Sequence, residues 1–244
     1  MEISVIVPTL NEGGYLRRAL ESLRKQTFDD FEIIIVDGNS SDATVDVAKE
    51  YTDRVFVLKK RGVPIARNYG AKKSRGRITA HTDADCLMPP QWLERMYDDF
   101  EKKDVEMVWG PVYYDEEASL LGKIHLNTFW MLQRYTWKFA PYTFNPNLAF
   151  TKEGFEKIGR YREDISFMDD YDIGRRGIKN LRYLFDPDNS VIFSGRRYRS
   201  SITVITELMK YLKGFFQYHL TDSISEKFIP SNLLTDKTSK GQIR

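Results

Sequence analysis

The chain has 244 residues, 41% hydrophobic and 14% aromatic, enough to bury a sizeable core in one large domain or a domain with an appendage. Its 37 Lys and Arg against 35 Asp and Glu leave a net charge of +2, so no global basic field marks a nucleic-acid binder. The one cysteine, Cys86, excludes an internal disulfide framework and a cysteine-rich zinc site, and fits a reducing compartment. The start, MEISVIVP, lacks a basic stretch followed by a long apolar segment, and no run of about 18 apolar residues occurs. Together these predict a cytoplasmic protein with room for peripheral contact on a membrane face.

In chain order, residues 3–7 (ISVIV) form a strand candidate ended by Pro8, and Tyr15, Leu16, Ala19, Leu20 and Leu23 recur at helical spacing. The apolar run FEIIIV over 31–36 predicts a buried strand, followed by Asp37, Gly38 and Asn39 and by serines able to cap a helix over 42–51. A third strand over 55–58 and a third helix over 63–73 follow, then a fourth strand over 77–80 that runs into AHTDADC. Pro89 and Pro90 open a helix over 91–103. Strands alternating with helices predict an α/β domain with a mostly parallel sheet covered on both faces, whose ligands lie beyond the carboxyl ends of the strands. Thr9 to Glu12, Asp37 to Asn39 and Thr82 to Asp85 all fall at such ends, so they are expected to converge on one cleft. Beyond Glu106 come a strand candidate over 107–109, a helix over 119–137 and an aromatic-rich stretch that fits either core or an acceptor pocket. The last dozen residues, LLTDKTSKGQIR, read as a polar tail.

Several chemistries drop out. The first strand is followed by TLNEGG and not by G-x-G-x-x-G, so hydride transfer with a dinucleotide is not expected. No G-x-x-x-x-G-K-[ST] loop occurs. His81, His125 and His219 are too scattered for a zinc triad, and His81 fits a satisfied core residue. What survives is D-x-D at a strand end. In extended chain Asp83 and Asp85 face one side, where like charges repel unless a cation lies between them, and Mg²⁺ or Mn²⁺ takes carboxylates together with substrate phosphates.

The stretch SVIVPTLNEGGYLRRALESLRKQTFDDFEIIIVDGNSSDATVDVA, then GVPIARNYGA, then HTDADC, resembles family 2 glycosyltransferases over roughly the first 110 residues. That resemblance implies a GT-A, Rossmann-like fold: a mostly parallel central sheet flanked by helices, a C-terminal acceptor region and a terminal amphipathic helix. It implies inverting transfer of a hexose or hexosamine from a UDP- or GDP-sugar to an acceptor hydroxyl, on a glycan, lipid or small molecule, assisted by Mg²⁺ or Mn²⁺. Residues 1–110 would form the nucleotide-sugar half, 111–199 the acceptor and catalytic half, and 200–244 a helix and tail. By the same resemblance, Thr9, Asn11, Glu12, Asp37 and Gly38 fall in the nucleoside site, Arg67 and Asp83 contact the nucleotide, and Asp85, with Asp83, holds the metal. Physical chemistry allows each role and a plainer one. Asp37 suits hydrogen bonds to a base and ribose, or capping of the next helix. Arg67, on a helix where Gly70 and Ala71 permit close approach, suits a diphosphate or a structural ion pair.

FMDDYDIGRR over 167–176 resembles the family's acidic pair, with Asp169 in place of the usual Glu and Asp170 as general base. A carboxylate within reach of an acceptor hydroxyl can take its proton, though three acids also suit a helix N-terminus. Many relatives place a further metal-binding histidine on the following strand, but here VIFSGRR offers Arg196 and Arg197, suited to a diphosphate or an anionic acceptor, or to solvent. Alternatives are a polyprenyl-phosphate sugar synthase, whose acceptor needs no base, and a catalytically idle nucleotide-sugar binder. Over 201–220, apolar residues at 202, 205, 208, 209, 212, 215 and 216 predict an amphipathic helix packed on the core, or, with Lys210 and Lys213, resting on a membrane.

Overall fold

Uninterrupted apolar runs mark strands buried on both faces, and the computed structural model builds its core from them. It describes residues 1–138, 141–165 and 167–221, so the tail expected over 233–244 lies outside the described residues. The first half runs β1 (Ile3–Thr9), α1 (Gly13–Arg24), β2 (Phe31–Asp37), α2 (Thr44–Lys49), β3 (Val55–Val57), α3 (Val63–Lys73), β4 (Ile78–His81), β5 (Cys86–Leu87) and α4 (Trp92–Lys103). Then come β6 (Met107–Trp109), β7 (Val112–Tyr114), α5 (Leu120–Thr136), β8 (Leu148–Thr151), α6 (Lys152–Lys157), α7 (Asp169–Asn180), β9 (Tyr183–Phe185), β10 (Val191–Phe193) and α8 (Ser201–Thr221).

Seven strands form one sheet in the order β3-β2-β1-β4-β8-β6-β9. Val5 of β1 pairs in parallel with Ile33 of β2 on one side and Ala80 of β4 on the other. Only β8, which the sequence concealed inside the aromatic stretch, runs against its neighbours. The sheet is therefore mostly parallel, as the alternation predicted. Helix α3 sits close to it because Gly70 has no side chain: a Cβ there would lie 2.5 Å from Ile6 Cγ2. A second sheet, β5-β10-β7, hangs beside the first and carries the chain from the D-x-D turn to the arginines near 196. Its pairing continues into a hydrogen bond from the Ser194 N–H to the Asp85 carbonyl at 3.0 Å.

Three local expectations need correcting. Asp83 and Asp85 do not share one side of an extended strand, because β4 ends at His81 and the pair lies where the chain turns into β5. Helix α2 starts at Thr44 with Ala43 at its N-cap and no serine cap; Asp42 accepts the Thr44 N–H at 3.0 Å, and the Ser40 hydroxyl donates to Asp37 instead. His81 is a core residue but not a satisfied one. It is wedged among Phe150, Phe155 and Tyr161, neither ring nitrogen has a hydrogen-bond partner, and burial holds its pKa well below the usual value.

The largest departure is α8. The side that packs carries Val204, Gly214 and Tyr218, with Gly214 against Met168 and Phe167. The apolar stripe at 202, 205, 209, 212 and 216 points to solvent, with Ile202 74% and Phe216 64% exposed. Core packing of that stripe is therefore not what the fold does with it. Among the described residues no helix is long and apolar enough to cross a membrane.

Candidate active site

A cleft of about 720 Å³ opens beyond the carboxyl ends of β1, β2 and β4, where a parallel sheet places its ligands. Thr9, Glu12, Gly38, Arg67, Asp83, Asp85, Asp169, Asp170 and Arg197 all lie on its wall. One cleft thus unites three strand-end clusters with an acidic pair more than 80 residues downstream.

At the donor end the turn carboxylates are held by arginines. Arg67, 1% exposed, meets Asp83 at 2.5 Å and reaches the Thr82 carbonyl at 3.4 Å. Arg196 bridges Glu12 Oε1 at 2.6 Å and Asp85 Oδ2 at 3.0 Å, its guanidinium 4.1 Å from the Tyr15 ring centre. The region that lacks a histidine therefore puts a fixed cation between two acids of the cleft. Burial first, then the charge of Asp83, pushes the Asp85 carboxyl up to about 7.

Asp37 and Asn11 are placed otherwise. Asp37 is fully buried behind the cleft wall, accepting from the Thr9 hydroxyl at 2.8 Å and from the Ser40 N–H at 2.7 Å and hydroxyl at 2.5 Å. Its immediate work is to fix Thr9 and the loop after β2. Asn11, in the left-handed region at φ 55°, accepts from the Ser41 N–H at 2.9 Å and joins the same loop.

At the other end α7 begins with the acidic pair, entered through Met168, which is held at φ 60° by packing with Ile165 and Tyr218. Asp169 accepts from the Asn145 amide at 2.8 Å, and Asn145 accepts in turn from the Tyr161 hydroxyl at 2.8 Å. Asp170 Oδ1 accepts the Tyr171 N–H at 2.8 Å, and its carbonyl accepts the Thr143 hydroxyl at 2.8 Å. Burial, then the neighbouring Asp169, pushes the Asp170 carboxyl up to about 8, while Asp169 is also raised, chiefly by burial. Tyr161, Asn145 and Thr143 have no motif of their own. For Thr143 and Asn145 the one signal was polar residues interrupting an aromatic stretch, and for Tyr161 there was none.

A divalent cation fits the donor end on its chemistry. Asp83, Asp85 and the buried Glu12 Oε2, which has no hydrogen-bond partner, are hard oxygen donors. Among the described residues no three acids or histidines close around a metal position, so a cation held here would need further oxygen ligands beyond the protein's own.

The model of glycosyl transferase family 2 matches residues 4–162. An uncharacterized glycosyltransferase of Rickettsia typhi is 27% identical over 86% of this chain and 69% of its own length, and one of Methanocaldococcus jannaschii is 30% identical over 75% and 67%. Other matches are shorter: that to the putative glycosyltransferase EpsH of Bacillus subtilis, at 38% identity, spans 38% of this chain and 29% of that protein's length. Among solved structures, the mannosyltransferase PcManGT from Pyrobaculum calidifontis, in complex with GDP-Man and Mn²⁺, superposes with a TM-score of 0.69 at 21% identity, covering 88% of this chain and 64% of that one. S. aureus TarS 1-349 in complex with UDP-GlcNAc does so with a TM-score of 0.66 at 19% identity, covering 87% and 65%. The fold is GT-A, and the chain belongs to glycosyl transferase family 2, as a transferase enzyme.

Proposed function

We propose that the chain is an inverting glycosyltransferase that moves a hexose or hexosamine from a UDP- or GDP-sugar to an acceptor hydroxyl, with Asp170 as general base. The observation that carries this is the single cleft holding both the Asp83 to Asp85 turn and the Asp169–Asp170 pair. Displacement at an anomeric carbon needs a proton acceptor where the hydroxyl enters. A carboxyl pushed up to about 8 is a stronger base than an ordinary one, and the Tyr171 N–H orients it. Asp169, fixed by Asn145, supplies the neighbouring charge that raises it.

Residues 1–110 would bind the donor and 111–199 the acceptor. Thr9 and Gly38 line the nucleoside end, with Asp37 reached through its Thr9 and Ser40 partners. Asp85, with Asp83 and Glu12, would hold Mg²⁺ or Mn²⁺, which when bound offsets charge on the departing diphosphate. Arg197 on the cleft wall and Arg196, once released from Asp85, add positive charge for the same group. The relatives solved with UDP-GlcNAc and with GDP-Man and Mn²⁺ support donors of either base.

The test is a thermal-shift panel of UDP, GDP, CDP, ADP and dTDP, with and without Mn²⁺, on wild type and Asp85→Ala. A ligand at a hundred times its Kd adds about 2.7 kcal/mol, a shift of several degrees for a domain of this size. One diphosphate should give a metal-dependent shift that Asp85→Ala removes. No shift with any of the five would end the nucleotide-sugar assignment.

A further inference from the structure

A second cavity of about 200 Å³ lies between α5 and α8. Its wall is largely carbon, with Leu126 and Phe129 of α5 opposite Val204 and Leu208 of α8. The one acid on that wall, Glu207, is ion-paired with Lys210. Four aromatic residues, Tyr114, Phe144, Tyr198 and Tyr211, line both this cavity and the donor cleft. The cavity therefore adjoins the acceptor end: Tyr142 and Tyr211, whose phenols burial pushes far up, also feel the charge of Asp170.

The outer surface of the same two helices is apolar as well. Of the eighteen large hydrophobic side chains that are exposed among the described residues, six are on α5 and seven on α8. On α8 they recur at three and four residues, Ile202, Ile205, Met209, Leu212 and Phe216, so they form one continuous stripe. On these helices and the residues after α5, Arg134 pairs with Asp188 and Lys210 with Glu207, which leaves Lys123, Lys138 and Lys213 as the basic border. An apolar stripe with aromatic residues and a basic border is complementary to an anionic bilayer surface.

We propose that the cavity between α5 and α8 receives the hydrocarbon chain of a membrane-borne acceptor lipid, placing that lipid's hydroxyl at Asp170 while the outer stripe rests on the bilayer. This deepens the proposed function and rests on it for the role of Asp170. The polar groups on the wall belong to four tyrosines, His125 and the ion-paired Glu207, so a sugar or peptide would leave most of its own polar groups unpaired, whereas an alkyl chain loses nothing there.

The test uses hexyl, heptyl and octyl β-D-glucoside, each below its critical micelle concentration, titrated calorimetrically into the full chain. The Kd should fall roughly fourfold per added methylene. Leu208→Gln should weaken octyl glucoside by about tenfold or more while leaving the nucleoside diphosphate thermal shift intact, which also shows that the variant folds. In parallel, wild type should co-sediment at low salt with vesicles of phosphatidylcholine and phosphatidylglycerol. The pair Ile205→Lys with Met209→Lys should abolish that sedimentation and still bind octyl glucoside. An affinity indifferent to chain length or to Leu208→Gln overturns the proposal. So does a wild type that ignores vesicles, including one that forms a dimer split by the lysine pair. Diphosphate binding without alkyl glucoside binding sinks this inference alone, and the reverse result sinks the donor assignment instead.

Discussion

At the donor end of the cleft each turn carboxylate faces a guanidinium, Asp83 at 2.5 Å from Arg67 and Asp85 at 3.0 Å from Arg196, whereas Asp169 and Asp170 meet only an amide and a backbone N–H. Asp83 keeps 28% of its side chain exposed while the side chains of Asp85 and Asp170 are both buried, so between these last two the ends differ in their partners. Burial still pushes Asp85 up to about 7 despite its guanidinium, but the arginines fix both carboxylates in place as an anchor for cations and phosphates. An unpaired buried one holds its proton into the neutral range, which is what a base that must collect a hydroxyl proton requires. The contrast divides binding from chemistry along one cleft, and it can be broken from either side.

The largest effect is expected from Asp170→Asn. Turnover should drop by roughly 10² to 10⁴ while the diphosphate thermal shift stays as in wild type, because only the acceptor end has changed. Near-normal turnover would remove Asp170 as base and leave an acceptor that is already anionic. Next comes Arg67→Met, which leaves Asp83 without its buried counter-ion. A loss of roughly 3 kcal/mol in urea unfolding is expected, at the low end for broken buried pairs since Asp83 is partly exposed. Asp170, whose raised pKa Arg67 also opposes, should then hold its proton more firmly, moving the activity profile to higher pH.

The third effect is on pH dependence, and its sign follows from the raised pKa of Asp170. Turnover should climb with pH until about 8, where the base is ionised. Stability should run the other way. The unfolded chain releases this proton near 3.9, the folded one near 8, so the folded state binds more protons in between and loses stability as pH rises through that window. Asp170→Asn should therefore be more stable than wild type at pH 8, by on the order of 5 kcal/mol, and should match it near pH 4. Equal melting profiles across that range would show that Asp170 carries no buried charge.

The two ends of the cleft were not equally legible in the sequence. Residues 1–103 announce themselves because strand and helix periods are local, and apolar runs such as FEIIIV, bounded by turn residues and rich in β-branched side chains, favour buried strands. The turn and the acidic pair were visible as motifs. Their partners were not: Tyr161 and Asn145 reach Asp169 through a loop fold, and Arg196 reaches Glu12 across 184 positions, distances in sequence that no period encodes. Strand β8 hid in an aromatic stretch because three apolar residues and a threonine fit core of any kind. Helix α8 shows the limit most plainly. Its periodicity marked an apolar stripe, but a stripe carries no statement of what covers it, and the fold buries the opposite side.

The smallest expected effect concerns the cation that the chain itself supplies. With Arg196 in place, Glu12 and Asp85 are neutralised before any ligand arrives, and a divalent ion must displace the guanidinium from Asp85 to bind. Arg196→Ala should therefore lose only about 1 kcal/mol without metal, because this pair is partly exposed, yet gain more from Mn²⁺ alone than wild type does. Melting curves with and without MnCl₂, on both proteins and without nucleotide, measure the two effects together. A variant that melts lower and recovers with Mn²⁺ places the arginine and the metal in competition for one carboxylate. A variant that melts lower and stays insensitive to Mn²⁺ reduces Arg196 to a structural ion pair and moves the cation's carboxylate ligands elsewhere, restoring the symmetry between the two ends of the cleft.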